Sequence, residues 1–245
     1  RAVVLNAPTG PAVVIAGAGS GKSAVMAARM AVLVVRGTCA ADEVLGLTFT
    51  RKAAAELAGR VDSYLVAARR AGLLAPGAGR PDVSTYHAFA QRFVREYGVL
   101  AGIDPDLRLE TDFALLPLAY RTVAASPTLA AAGAEHAQSL RDSVSWMRAL
   151  DAECAEHAVD PQKLLDTERQ RLDAFTRLRD EGLKVTSEVA NWEHAVRTRI
   201  AFARLVEEFR AAKLDAGVMD FGDLMRFSHA IATGGGQAVD AMRSA

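Results

Sequence analysis

Cysteine is nearly missing from this chain. Cys39 and Cys154 are its only two; they stand far apart and lack metal-ligand spacing. That excludes a disulfide framework and a cysteine-built zinc site, and it suits a reducing cytoplasm. The five histidines (His87, His136, His157, His194, His229) form no ligand cluster. No signal peptide is visible. The longest apolar run, Ser23 to Val35, is broken by Arg29 and too short for a bilayer, so no membrane partner is expected. Proline stops at Pro161, which leaves the last third without a strong helix breaker other than glycine. Net charge is also missing: the formal total is +0.

What is present is apolar and helix-forming. Hydrophobic residues make up 51% of the 245, enough for a sizeable core in one or two domains. Charge is unevenly spread. Residues 1–98 hold 12 Lys/Arg against 6 Asp/Glu, whereas residues 99–218 hold 15 against 20. A polyanion would therefore be met by the N-terminal segment.

Ala12-Val13-Val14-Ile15-Ala16 is an apolar, β-branched run that predicts a strand buried on both faces. Ala16-Gly17-Ala18-Gly19-Ser20-Gly21-Lys22-Ser23 follows at once. Ser23 to Val35 then predicts a helix apolar nearly all round, hence buried, with Gly37 as its left-handed cap. Strand, glycine-rich turn and helix form the context of a triphosphate-binding loop. Its glycines let backbone N–H groups turn toward phosphate oxygens, and the helix adds its positive end. Lys22 supplies a mobile cation for the β- and γ-phosphates, and the Ser23 hydroxyl is a small oxygen ligand for Mg²⁺. ATP is the expected nucleotide, cradled by Ala16, Gly17, Ala18, Gly19, Ser20, Gly21, Lys22 and Ser23, with Lys22 and Ser23 as the catalytic pair.

Further along, 44–48 and 83–85 predict strands, and 51–70 and 88–97 predict helices. Strands alternating with helices imply a parallel sheet. After Gly98 no further strand is expected. Segments near 112–125, 135–155, 162–181 and 187–215 carry helical patterns; in the last, Trp192, Val196, Ile200, Ala203, Val206 and Phe209 share one apolar face.

The loop together with Leu47-Thr48-Phe49-Thr50-Arg51-Lys52-Ala53-Ala54-Ala55-Glu56-Leu57 resembles motifs I and Ia of the UvrD/Rep-like superfamily 1 DNA helicases. Ser84-Thr85-Tyr86-His87-Ala88-Phe89 resembles motif Ib, and Met219-Asp220-Phe221-Gly222-Asp223-Leu224-Met225 resembles the segment ahead of motif II. Ser145-Trp146 is similar to a pair in the helical subdomain of that family. The style resembles actinobacterial members, including AddA/AdnA-like recombination motors. The resemblance implies an α/β fold: a P-loop RecA-like parallel sheet, subdomain 1A, over 1–110. A mostly helical 1B insertion would follow over 111–214, with a return to 1A over 215–245. It implies an ATP-driven motor of DNA repair or recombination that moves 3′ to 5′ on single-stranded DNA and opens duplex–single-strand junctions. Within that family the resemblance also points to a second helicase/nuclease subunit as partner.

Phe49, Thr50, Arg51, Lys52, Thr85, Tyr86 and His87 are the expected DNA contacts. Aromatic rings stack on bases without reading sequence, and hydroxyls and cations meet phosphates. Plainer roles stay open: Phe49 in the core, Lys52 decorating a helix, His87 a satisfied helix-start residue, Asp220 and Asp223 capping a helix. Two family features are not found. No Gln precedes the loop to read adenine, and no apolar strand ends in Asp-Glu-x-Gln-Asp. Asp42-Glu43 precedes a strand and Asp180-Glu181 ends a helical stretch. The chain is therefore expected to be the first part of a motor, truncated before motif II, that binds nucleotide weakly and does not turn it over alone. The rival readings are another P-loop NTPase, which Thr-Phe-Thr-Arg-Lys-Ala-Ala does not suit, and an inactive motor-like scaffold, against which the intact Lys22 argues.

Overall fold

A computed structural model describes residues 10–17, 19–132, 139–182, 184–234 and 239–240. The fold is mixed α/β, mostly helical, with two small parallel sheets. The chain divides into two compact units, 1–89 and 90–245.

In the first unit, β1 (Leu45–Thr48) and β2 (Asp82–Thr85) pair in parallel, with Leu45 opposite Asp82 and Thr48 opposite Thr85. Helix α1 (Lys22–Val35) and helix α2 (Arg51–Arg70) supply the core. Ala27, Met30, Ala31 and Val34 meet Leu57, Val61 and Leu65, the three-and-four spacing that puts side chains on one helical face. Gly46 lets Met30 pack close to β1: a Cβ there would lie 2.9 Å from Met30 Cε and would make that side chain shift. Gly37, at φ 66°, closes α1 as the sequence predicts, with the Thr38 amide donating to Leu33 O.

Two expectations fail here. Residues 12–16 lie in no strand, and Val13 and Ile15 are 85% and 94% exposed. A strand exists by its ladder, and the described pair β1–β2 offers this run no hydrogen-bonded neighbour. Helix α1 likewise buries one face only, with Met26 41% exposed, because α2 covers it from one side.

The second unit contains the rest of α3 (Tyr86–Tyr97), a 3₁₀ turn over Gly98–Ala101, and β3 (Arg108–Leu109). Helices α4 (Leu116–Ala125), α5 (Pro127–Ala132), α6 (Leu140–Glu156), α7 (Pro161–Asp180) and α8 (Ser187–Asp215) follow. The chain then forms β4 (Val218–Met219) and α9 (Phe221–Thr233). β3 and β4 pair in parallel, a correction to the expected lack of strands after Gly98. Two-residue strands are too short to show a period. Between 112 and 213 the described residues hold helices and no strand.

Helix α8 is the axis of this unit and packs against α4, α5, α6 and α7. Val196, Ala203, Val206 and Phe209 are buried as the sequence predicts, while Trp192 is 40% exposed. Side-chain caps start the long helices: Ser139 accepts from the Asp142 amide, Asp160 from Gln162 and Thr186 from Val189. Asp220 and Asp223 form a reciprocal capping box on α9, the capping role left open for them.

Near its end α8 sends Lys213, fully buried, into a cage of carboxylates. Its Nζ lies 3.1 Å from Asp151 Oδ2, 2.6 Å from Asp220 Oδ2 and 2.7 Å from Asp223 Oδ2. Arg210 also holds Asp151, at 2.6 Å, and Arg226 holds Asp223, at 2.9 Å. Burial by itself pushes the ammonium's pKa down, but Asp151, then Asp223 and Asp220, outweigh it and hold it above the ordinary lysine value. Burial would likewise raise the Asp223 carboxyl; Lys213 and Arg226 hold it below the carboxylate range.

Lys213→Met leaves converging carboxylates without their ammonium and is expected to cost about 3–5 kcal/mol in urea unfolding. Asp223's contribution is complete above the ordinary carboxylate pKa and is lost as pH falls through its depressed one. That of Lys213 is complete below the ordinary lysine pKa and is lost only as pH rises through its raised one. Melting temperature should therefore fall on acidification below the carboxylate range, and Asp223→Asn should flatten that acid limb. An unchanged limb would remove the cage from the stability account.

Candidate functional site

Both candidate constellations lie in the first unit. The loop ahead of α1 is shaped by Gly19 (φ 74°) and Gly21 (φ 87°), both in the left-handed region that side chains disfavour. The Ser20 hydroxyl donates to Gly17 O at 2.8 Å, which tightens the turn. Gly21 is the N-cap of α1 and offers no side-chain cap. The Val25 amide donates to Gly21 O, so the helix amides ahead of it precede the ladder and aim their dipoles out of the N-terminus. Lys22 Nζ curls back over the loop and donates to Ala16 O at 2.8 Å and Gly17 O at 2.7 Å. Two of its three N–H donors are so engaged, and the ammonium stays at the mouth of the turn. Ser23 follows, exposed, in the first turn. Ala18 lies outside the described residues.

This donor set fits an anion. An uncapped helix N-terminus, glycine-shaped backbone and one lysine are what phosphate oxygens need. Gly17 and Gly19 have nothing within 4 Å of where a Cβ would stand, so ligand atoms have room to approach that backbone. For Mg²⁺ the fit is narrower: Ser23 provides one oxygen, and this ion commonly takes one or two protein ligands and completes its shell with phosphates and water. Among the described residues no group of three or more His, Cys, Asp or Glu side chains could hold a metal ion by itself.

The second constellation stands where β1 and β2 end in step. Thr48 and Thr85 are register partners, and the next residues, Phe49 and Tyr86, bring their rings to 5.2 Å at 42°. Phe49 is 87% exposed and so does not belong to the core; Tyr86 is 41% exposed. Thr50 Oγ1 accepts from the Ala53 amide at 3.1 Å and caps α2; Thr85 Oγ1 accepts from Ala88 at 3.2 Å and caps α3. Each hydroxyl keeps its own proton to donate. Arg51 and Lys52 are exposed in the first turn of α2, where a cation opposes the helix dipole. His87 is exposed in the first turn of α3. The carboxyl ends of parallel strands are the usual ligand side of an α/β sheet.

Sequence reasoning missed Thr48, whose hydroxyl donates to Thr50 O at 3.2 Å and steadies the strand-to-helix corner. A threonine two residues ahead of an N-cap was the available signal. It also missed Lys213, which carries no local motif. No helix among the described residues is long and apolar enough to cross a membrane.

Residues 1–245 match the profile of the UvrD/REP helicase N-terminal domain. The chain is 35% identical over 144 residues to the ATP-dependent DNA helicase UvrD2 of Mycobacterium tuberculosis, covering 58% of this chain and 19% of that protein. It is 40% identical over 86 residues to the ATP-dependent DNA helicase PcrA of Bacillus subtilis, covering 35% and 10%. It is 39% identical over 111 residues to an ATP-dependent helicase/nuclease subunit of Streptococcus thermophilus, covering 41% and 9%. The matched part is thus less than a fifth of each of these relatives.

Two outcomes test this geometry. Phe49→Ala should change unfolding free energy by less than about 0.5 kcal/mol, since the ring is exposed. Thr50→Ala should cost about 1 kcal/mol through the lost cap. A large loss from Phe49→Ala in urea unfolding would put that ring back in the core.

Proposed function

This chain belongs to the UvrD/Rep helicase family, and on that premise we propose that it is the nucleotide- and DNA-binding part of an ATP-dependent DNA motor. The observation that carries the reading is the pairing, in one unit, of two features. One is an uncapped, glycine-shaped helix start bearing Lys22. The other is an exposed aromatic pair flanked by helix-start cations at the strand ends.

Ala16 to Ser23 hold the triphosphate. Helix-start amides bind its oxygens, and Lys22 exchanges the carbonyls of Ala16 and Gly17 for β- and γ-phosphate oxygens. Ser23 presents its hydroxyl to Mg²⁺, which when bound neutralises charge between the phosphates. On single-stranded DNA, Phe49 and Tyr86 stack on bases. Arg51 and Lys52 neutralise phosphates and so gain the partner that the dipole of α2 denies them. Thr50, Thr85 and His87 donate to the backbone.

In this reading 1–110 and 215–245 belong to a RecA-like core and 111–214 are a helical insertion. The pairing of Arg108–Leu109 with Val218–Met219 supports it, since it brings together the chain on either side of the inserted helices. Translocation would run 3′ to 5′, in DNA repair or recombination and in the cytoplasm. The streptococcal relative is named a helicase/nuclease subunit, which supports a partner of that kind for this chain.

In a full-length motor that contains these residues, single-stranded DNA should stimulate ATP hydrolysis, and Lys22→Ala should abolish it; hydrolysis indifferent to DNA would overturn the motor reading. Arg51→Ala should weaken oligonucleotide binding and lower the slope of log K against log salt by about 1. An unchanged slope in an anisotropy titration would take Arg51 off the DNA track.

A further inference from the structure

Where the end of α6 meets α8 and α9, the second unit holds a cavity of about 370 Å³ that the proposed motor chemistry does not use. Arg210, Arg226 and His229 form a polar wall, and Ala155, Val159 and Met225 an apolar one. Ala158 also lines it. At φ 50° it is the one non-glycine residue in the left-handed region among the described residues, and it turns the chain so that the Val159 amide donates to Cys154 O at 2.8 Å. The two guanidiniums each spend a single nitrogen: Arg210 Nε donates to Asp151 and Arg226 Nη2 to Asp223. Their side chains are 11% and 31% exposed. Among the described residues three buried side-chain nitrogens have no hydrogen-bond partner, Arg69 Nε, Arg210 Nη2 and Arg226 Nε. Two of the three thus belong to this one wall. A buried N–H without an acceptor is costly and uncommon, so the pair marks a place that an acceptor from outside completes. Arg226 and His229 stand three residues apart on one face of α9. His229 is exposed; Thr233 Oγ1 donates to its backbone carbonyl and leaves the ring alone. Asp160 is the opposing charge in the lining, and it is engaged in capping α7, accepting from the Gln162 amide at 3.0 Å.

We propose that this cavity binds the phosphate group of a small phosphate monoester. The monoester dianion carries three terminal oxygens, one for each of Arg210, Arg226 and His229, whereas a carboxylate or a phosphodiester offers two. Guanidinium forks suit such oxygens better than point charges do. The cavity is larger than a bare phosphate, and its apolar wall takes the body of the ester. Lys213, Arg210 and Arg226 are balanced by Asp151, Asp220 and Asp223, so hydrogen bonds supply the recognition more than net charge does, and binding is weak.

Amide NMR of the ¹⁵N-labelled chain carrying Lys22→Ala, which takes the phosphate loop out of the measurement, tests this with phenyl phosphate. The ester should shift the amides of 154–160 and 225–233 with a Kd on the order of 1 mM, and inorganic phosphate should do so more weakly. Ala230→Glu sets a carboxylate in the cavity from an exposed position and leaves the ion pairs of the cage in place. It should weaken binding at least about tenfold. His229→Ala, also at an exposed position, should weaken it a few fold. Should Ala230→Glu prove unfolded by circular dichroism, Met225→Glu, on a side chain 41% exposed, carries the same test. No shift in those segments at high millimolar phenyl phosphate overturns the proposal. So do shifts that survive unchanged in the folded glutamate variant, or benzoate binding as tightly as phenyl phosphate. Shifts produced by an oligothymidylate and not by phenyl phosphate overturn it too, since they would assign the cavity to a nucleic-acid backbone.

Discussion

The larger unit depends on one buried ammonium. Lys213 sits where α6, α8 and the β4–α9 corner converge, and it meets the carboxylates of Asp151, Asp220 and Asp223 there. Taken out of water alone, any of these charges would cost several kcal/mol. Together with Arg210 and Arg226 they make a balanced cluster in which each carboxylate has at least one close cation. Two of the three aspartates that meet Lys213, Asp220 and Asp223, also cap α9, so a tertiary contact and a helix start share the same side chains. The alternatives to this arrangement leave a buried charge uncompensated, which gives the cluster a role in choosing one packing as well as in strengthening it.

The smaller unit shows the opposite economy. Around Lys22, Phe49 and Arg51 several local rules are broken at once. Cations occupy helix first turns, an aromatic side chain stands 87% exposed, and a helix begins on a left-handed glycine without a side-chain cap. Each deviation is small, but they cluster at one helix start and at the ends of two paired strands. Local inconsistency concentrated in this way belongs to functional or strained sites, and here it supports the ligand-binding reading proposed for this unit. The membership in the UvrD/Rep helicase family agrees with that reading, and the charge excess of residues 1–98 falls on the same segment.

Much of this was legible in the amino-acid order wherever the determinants are local. Helix α2 begins and ends where its periodicity does, with Thr50 as cap and Gly72 beyond its end. The apolar face of α8 follows from spacing, and the Asp220/Asp223 box follows from a three-residue interval. What escaped was non-local. The run 12–16 has strand composition, yet a strand requires a neighbouring ladder that composition cannot specify. One-sided burial of α1 depends on where α2 lies. β3 and β4 meet across more than a hundred residues and are too short to signal themselves. Lys213 carries no local motif, and only the fold brings three carboxylates around it. At the site, the sequence leaves Phe49 open between core and ligand surface, and its exposure takes it out of the core.

Hydrogen–deuterium exchange on the chain, with Mg·ATP and then with an oligothymidylate, tests the central claim most directly. The account predicts that nucleotide slows exchange at the amides of 19–25, and that the oligonucleotide slows it at 49–53 and 85–88. Protection by neither ligand in those segments, or protection confined to the helices of the second unit, would contradict it.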